Sequence, residues 1–149
     1  MATTSTRPVQ QLQVRRVFPV SPERLFKAWT TPEELKRWHA SDPLTVPLVE
    51  IDLRVGGSYR IHMGEPGGKE CRVSGIYRVI EPARRLVYTW KPDHEDTVTQ
   101  VTLEFKPQGN GTELVLTHEG FPSEDDRNDH QQGWTSILER LARDLGGDK

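Results

Sequence analysis

The sequence predicts an α+β fold in which a curved antiparallel sheet of about seven strands wraps a long C-terminal helix, the chain order being strand, two short helices, six strands, helix. Three observations predict it. Between residues 49 and 118 apolar and polar residues alternate in segments parted by short turns; Trp134, Ile137, Leu138, Leu141 and Leu145 recur at helical spacing; and two proline-started helical stretches interrupt the chain after its first strand.

Residues 1–10 are Thr/Ser-rich and without periodicity, so they read as a flexible terminus ahead of a single domain spanning 11–146. Gln11 to Phe18 reads as a first strand near a sheet edge, with Leu12, Val14, Arg16 and Phe18 on one face. Ser21 can cap a helix with Pro22 at its first position and Leu25, Phe26 and Trp29 as its apolar stripe, ending by Thr30 and Thr31. Thr31-Pro32-Glu33-Glu34 has the pattern of a capping box opening a second short helix that carries Leu35 and Trp38.

Asp42 to Pro47 reads as a loop, and Val49, Ile51, Leu53 and Val55 as the inward set of a half-buried strand. Gly56-Gly57 turns the chain into Ser58 to Met63, where Tyr59, Ile61 and Met63 alternate with Ser58, Arg60 and His62; Gly64 to Gly68 turns it again. Cys71 to Ile80, Arg85 to Trp90 and Thr97 to Lys106 are further strands, and Asn110-Gly111 signals a tight hairpin into Leu114, Leu116 and His118. Ser123 can cap the last helix, whose first turn holds Glu124, Asp125 and Asp126 and whose end is marked by Gly146-Gly147.

Composition narrows the function classes. With 20 basic and 22 acidic side chains spread along 149 residues, there is no basic footprint for nucleic acid and no polybasic membrane anchor. The single Cys71 excludes an internal disulfide, and no apolar stretch follows Met1, which makes the cytoplasm the expected compartment. His118-Glu119 lacks the second histidine of a helical zinc site, and no glycine-rich phosphate loop or nucleophile elbow is present; neither a metal, a cofactor nor a catalytic residue is assigned.

Several ordered segments carry a family resemblance: Val17 to Thr30, Leu35 to Trp38, Gly56 to Arg60, Gly75 to Tyr77, Arg85 to Trp90, Thr117 to Phe121, and Gly133-Trp134. Together they resemble the bacterial domain named for similarity to the activator of the 90-kDa heat-shock-protein ATPase. That domain belongs to the START-like (SRPBCC), birch-pollen-allergen-like helix-grip superfamily, which includes polyketide cyclases and lipid carriers. The resemblance implies a groove between helix and sheet. The family name points to a chaperone partner, although 149 residues leave no room for the separate N-terminal chaperone-binding domain of the eukaryotic activator.

Tyr59, Ile61, Met63, Tyr88, Trp90, Leu116 and His118 belong to alternating sets that should face the helix, and Trp134 and Leu138 face them from it. These groups outnumber what one helix face can cover, so a cavity for an apolar or aromatic small molecule is expected among them, with Trp29 and Trp38 plugging one end. His118 among leucines is either a satisfied core group or the polar handle that orients a ligand, and the ligand-binding set is written with it and with Trp38. His130, one turn before Trp134, reads as a solvated helix residue or as part of the mouth; Arg60, His62 and Arg72 should face solvent. A binding module is the first reading, a cyclase or hydrolase using His118 the second, and a chaperone-associated protein the third; either a monomer or a homodimer is compatible with the exposed strand edges.

Overall fold

The computed structural model describes residues 10–40, 44–64 and 68–147. β1 (Gln10–Phe18) leads to α1 (Pro22–Thr30) and α2 (Pro32–Trp38), then to β2 (Thr45–Ile51), β3 (Ser58–Gly64), β4 (Glu70–Glu81), β5 (Arg85–Pro92), β6 (Thr99–Gln108) and β7 (Gly111–Phe121). α3 (Glu124–Ala142) follows and continues as a π-helical turn over Arg143–Gly147. The seven strands form one antiparallel sheet in the order β1-β7-β6-β5-β4-β3-β2. This is the predicted α+β architecture: six strands run as a meander, and β1 pairs beside the last of them, with Leu12 opposite His118 and Phe18 opposite Thr112. The expected terminus at 1–9 lies outside the described residues, and Gln10 already belongs to β1.

Because β1 and β2 are the two edges of the sheet, α1 and α2 must carry the chain from one edge to the other, across the open side of the curl. That crossing brings the apolar stripes of both helices into the interior: Leu25, Phe26, Ala28, Trp29, Leu35 and Trp38 are all buried. α3 packs against β1, β7 and α2, covering one half of the concave face with Trp134, Ile137, Leu138 and Leu141.

The caps explain the helix starts. Ser21 Oγ accepts from the Arg24 N–H and Ser123 Oγ from the Asp126 N–H, each at 3.1 Å. Thr31 makes no side-chain cap, contrary to the expected capping box. Its would-be partner Glu34 is buried and turns instead to Arg24 at 2.8 Å and Arg37 at 3.5 Å, because two guanidinium groups outbid a backbone amide for a carboxylate removed from water.

Two sequence boundaries are corrected. The strand expected over residues 49–55 occupies Thr45–Ile51; Leu53 and Val55 are exposed, in the turn that Asp52 and Arg54 close through backbone bonds to Ser58 and Gly57. Pro47 is accommodated because β2 is an edge strand, where a missing N–H need not disturb a ladder. The hairpin turn is Gly109-Asn110, with Gln108 paired to Gly111 and Gly109 at φ +59°, one residue before the predicted position.

The sheet is interrupted in one place that shapes the interior. Between β4 and β5 the pairing runs from Ser74 and Lys91 to Tyr77 and Tyr88 but skips Gly75 and Ile76. There the Ile76 N–H donates to Thr89 Oγ1 at 2.9 Å, and the Thr89 carbonyl accepts from the Tyr59 hydroxyl at 2.6 Å. A Cβ at position 75 would stand 1.9 Å from the Thr89 oxygen and 2.6 Å from Tyr59 Cε2, so only glycine fits at this gap in the ladder.

Candidate ligand-binding cleft

All four tryptophans of the chain, each on a different element, converge in one cluster. Trp29 on α1 meets Trp38 on α2 edge-on, with ring centroids 4.7 Å apart; Trp90 on β5 and Trp134 on α3 lie 5.1 Å apart at 53°. His39 sits at their centre, its ring within 5.3–6.2 Å of all four indoles. Such tilted and edge-on arrangements are those in which aromatic quadrupoles attract. Burial holds the His39 imidazole neutral, lowering its pKa to about 4 against a smaller opposing effect of its own backbone.

The ten sequence-predicted site residues divide into three groups. Trp38, Leu116, His118 and Leu138 are packed core, each at most 1% exposed. Tyr59, Ile61 and Tyr88, with Trp29, Leu35, His39, Ile51 and Tyr77, surround a void of about 10 Å³, the room of one water. Met63, Trp90 and Trp134 line a cleft of about 220 Å³ together with Leu44, Ile137, Gly133, Cys71, Asp129 and His130. The cavity expected among all ten residues is narrower than that: Trp29, Trp38 and His39 pack together between helix and sheet, and the remaining space opens between α3 and β3–β5. His130 is half-buried in the wall of this cleft rather than solvated, while Arg60 and Arg72 are exposed as expected. A larger groove of about 670 Å³ lies open on the opposite face of the sheet, over Ser74, Ile76 and Lys91, and shares no residue with the cleft.

His118 is the satisfied core group of the two readings. Trp134 Nε1–H donates to its Nδ1 at 3.0 Å, which fixes the neutral tautomer with the proton on Nε2. Nε2–H then donates to Thr99 Oγ1 at 2.6 Å, and the Thr99 hydroxyl donates onward to the Trp90 carbonyl at 3.2 Å. Burial, helped by the neighbouring His130, pushes the His118 pKa down to about 2, so the ring neither carries charge nor offers a free nitrogen to a ligand. His130 is fixed differently: its Nδ1–H donates to the Asp126 carbonyl one turn earlier.

Burial raises the pKa of Tyr59 and Tyr88 well above the ordinary phenol value, so both remain hydrogen-bonding neutral groups. Among the described residues the indole N–H groups of Trp29, Trp38 and Trp90, and His39 Nδ1, have no hydrogen-bond partner. His39 was absent from the sequence prediction because it lies one residue beyond α2, outside any periodic stripe. Among the described residues no cluster of three or more His, Cys, Asp or Glu could hold a metal, and no helix is long and apolar enough to cross a membrane.

A curled seven-stranded sheet closed by two short helices and gripping a C-terminal helix defines a helix-grip domain. Residues 19–146 match the family described as activator of Hsp90 ATPase homolog 1-like protein, and the chain belongs to that family. It is 28% identical over 129 residues, 85% of the chain, to the activator of 90 kDa heat shock protein ATPase homolog 1 of Homo sapiens, and spans only 34% of that protein. Its fold is similar to that of a Chromobacterium violaceum protein (TM-score 0.84, 26% identity, 91% of this chain and 96% of the other). It is also similar to the AHSA1 protein of Silicibacter pomeroyi (TM-score 0.82, 27% identity, 94% of this chain and all of the other).

Proposed function

We propose that this domain is a cytoplasmic binding module that takes up a small, flat apolar molecule in the cleft between α3 and β3–β5. One observation carries the reading: the cleft of about 220 Å³ is walled chiefly by apolar groups, half-buried Leu44 at its edge and the buried Met63, Ile137, Trp90 and Trp134 beneath it. Desolvation of a ring against these apolar walls supplies the affinity, at about 25 cal/mol per Å² of apolar surface buried. The volume suits one or two fused rings or a short acyl chain better than a polyketide. The cyclase or hydrolase reading depended on His118 as acid or base, and both of its nitrogens are committed within the protein.

Native mass spectrometry of the purified protein, before and after incubation with fused-ring aromatics and medium-chain lipids, tests the proposal. Retention of one molecule per chain supports it; failure of every class to be retained at saturating concentration removes it. A chaperone-associated role is the second reading, supported by the human relative's name. Stimulation of a chaperone ATPase by this chain at micromolar concentration would support it, and an unchanged ATPase rate would count against it.

A further inference from the structure

The face of the sheet turned away from the cleft carries a recess of its own, built by the break in the ladder. Where β4 and β5 fail to pair at Gly75 and Ile76, the small side chains of Ser58 and Ser74 and the bare Cα of Gly75 keep the floor low, and the groove of about 670 Å³ opens over them. Arg60, Arg78 and Lys91 stand around it, the two arginines exposed. A second recess of about 330 Å³ adjoins this groove through Arg78, Thr89 and Val98 and extends it to Glu119 on β7.

The three cations carry uncompensated charge. None of them is ion-paired among the described residues, whereas Arg54 and Arg72, on the same half of the sheet, are held at 2.9 Å by Asp52 and at 3.2 Å by Glu70. Lys91 Nζ lies 3.4 Å from the Pro92 carbonyl, a neutral acceptor. The register sets Glu50, Arg60, Ser74 and Lys91 in one row across β2 to β5. With Asp52 assigned to Arg54, a single carboxylate of the groove, Glu50, faces three cations. Between them lie Ile76 and Val98, two of the five large apolar side chains left exposed among the described residues.

We infer that this groove docks an extended acidic segment of a protein partner, its carboxylates reaching Arg60, Arg78 and Lys91 and an aliphatic side chain resting on Ile76 and Val98. Charge complementarity selects the anion: in a chain of net charge -2 the local positive excess comes from placement, not from composition. Length selects the peptide. From β2 to β7 the sheet spans five strand spacings, about 24 Å at ~4.8 Å each, which an extended chain crosses in about seven residues and a compact anion does not fill. The carboxylates of Glu50 and Glu119 mark the two ends, so a nucleic-acid strand, whose phosphates continue past both, is disfavoured. The inference is independent of the cleft, with which the groove shares no residue.

The test is fluorescence anisotropy of a dye-labelled peptide, one valine flanked on each side by two aspartates and a glycine, against its counterpart with asparagine for aspartate, on the full chain at low salt. The expected result is at least fivefold tighter binding of the aspartate peptide, a preference that shrinks at physiological salt. Exchanging the three groove cations together (Arg60→Gln, Arg78→Gln, Lys91→Gln) should weaken that peptide at least tenfold, and Ile76→Ser about threefold. The same change of charge at the β4–β5 turn (Arg84→Gln, Arg85→Gln, Lys106→Gln) should leave its affinity within twofold, with urea midpoints as the fold control. Equal binding of the two peptides, binding of neither, or equal weakening by the two triple variants overturns the inference. Tighter binding of a single-stranded oligonucleotide of the same charge overturns it as well, in favour of a nucleic-acid surface.

Discussion

The indole N–H of Trp134 donates to Nδ1 of His118 at 3.0 Å, so the C-terminal helix is joined to the last strand by a polar bond inside the aromatic core. The bond orders a chain of donors that ends at the Trp90 carbonyl by way of Thr99. A buried chain of this kind stabilises only while every member is paired. Thr99→Val removes its middle link without changing side-chain shape, leaving the His118 N–H and the Trp90 carbonyl short of a partner. We expect a loss of about 2–3 kcal/mol, against less than about 1 for Thr99→Ser, measured by urea unfolding at pH 7.5. Equal stability of the valine and serine variants would mean that the chain contributes packing alone.

The two buried histidines set a pH dependence. His39 and His118 are neutral in the folded protein, with pKa values lowered to about 4 and about 2, while the unfolded chain protonates them near the ordinary value of about 6.5. Above that value neither state binds the proton and their contribution is complete. As the pH falls below it the unfolded state gains protons that the folded state refuses, so stability declines by about 1 kcal/mol per pH unit for each histidine. Urea midpoints measured from pH 7 to 5 should fall accordingly, and His39→Phe should remove about half of the slope. A flat profile across that window would contradict the placement of both rings.

Gly75 marks the gap through which the Tyr59 hydroxyl reaches the Thr89 carbonyl. Gly75→Ala forces a methyl group to within 1.9 Å of that oxygen and must displace Tyr59 from the wall of the inner void. The expected cost exceeds about 3 kcal/mol, with loss of near-ultraviolet dichroism from the Tyr59, Tyr77 and Tyr88 cluster, whose ring centroids lie within 6.0 Å of one another. A variant with wild-type stability and spectrum would show that the strand can shift to close the gap.

Arg140 fastens α3 to the segment after α2. Its Nη1 donates to the Ala40 and Leu44 carbonyls at 2.7 and 2.8 Å, and Nη2 reaches the Arg37 carbonyl at 3.4 Å. A planar fork serves several carbonyls at once, which a single ammonium cannot do in the same geometry. Arg140→Lys is therefore expected to lose most of what Arg140→Ala loses, about 2 kcal/mol in thermal or urea unfolding, and a lysine variant matching wild type would reduce the guanidinium to a simple charge.

The order of elements was legible because β3, β6 and β7 alternate and every turn of the meander carries glycine or proline, signals set by neighbours in the chain. The exact extent of β2 was not. Leu53 and Val55 continue the alternation past Ile51, and Pro47 argues against a strand that its edge position permits; both depend on which strand lies alongside. His118 stood out through strand register, but register alone leaves the satisfied group and the ligand handle equivalent, and Trp134 decides between them from a different element. Of the ten residues expected to face one cavity, only Met63, Trp90 and Trp134 border the cleft of about 220 Å³. Its true lining depends on α3 packing toward β1 and β7 and on three aromatic rings from α1, α2 and the residue after it filling the middle, geometry that no local pattern records.

Binding in the cleft beside Trp90 and Trp134 is tested most directly by titrating tryptophan emission with naphthalene in the wild type and in Gly133→Phe, which directs a ring from α3 into the cleft and removes no existing side chain. The account predicts saturable binding by the wild type, at least a tenfold weaker affinity in the variant, and no loss of stability, since phenylalanine is the better helix former of the two. Unsaturable or equal titrations of the two proteins would contradict it.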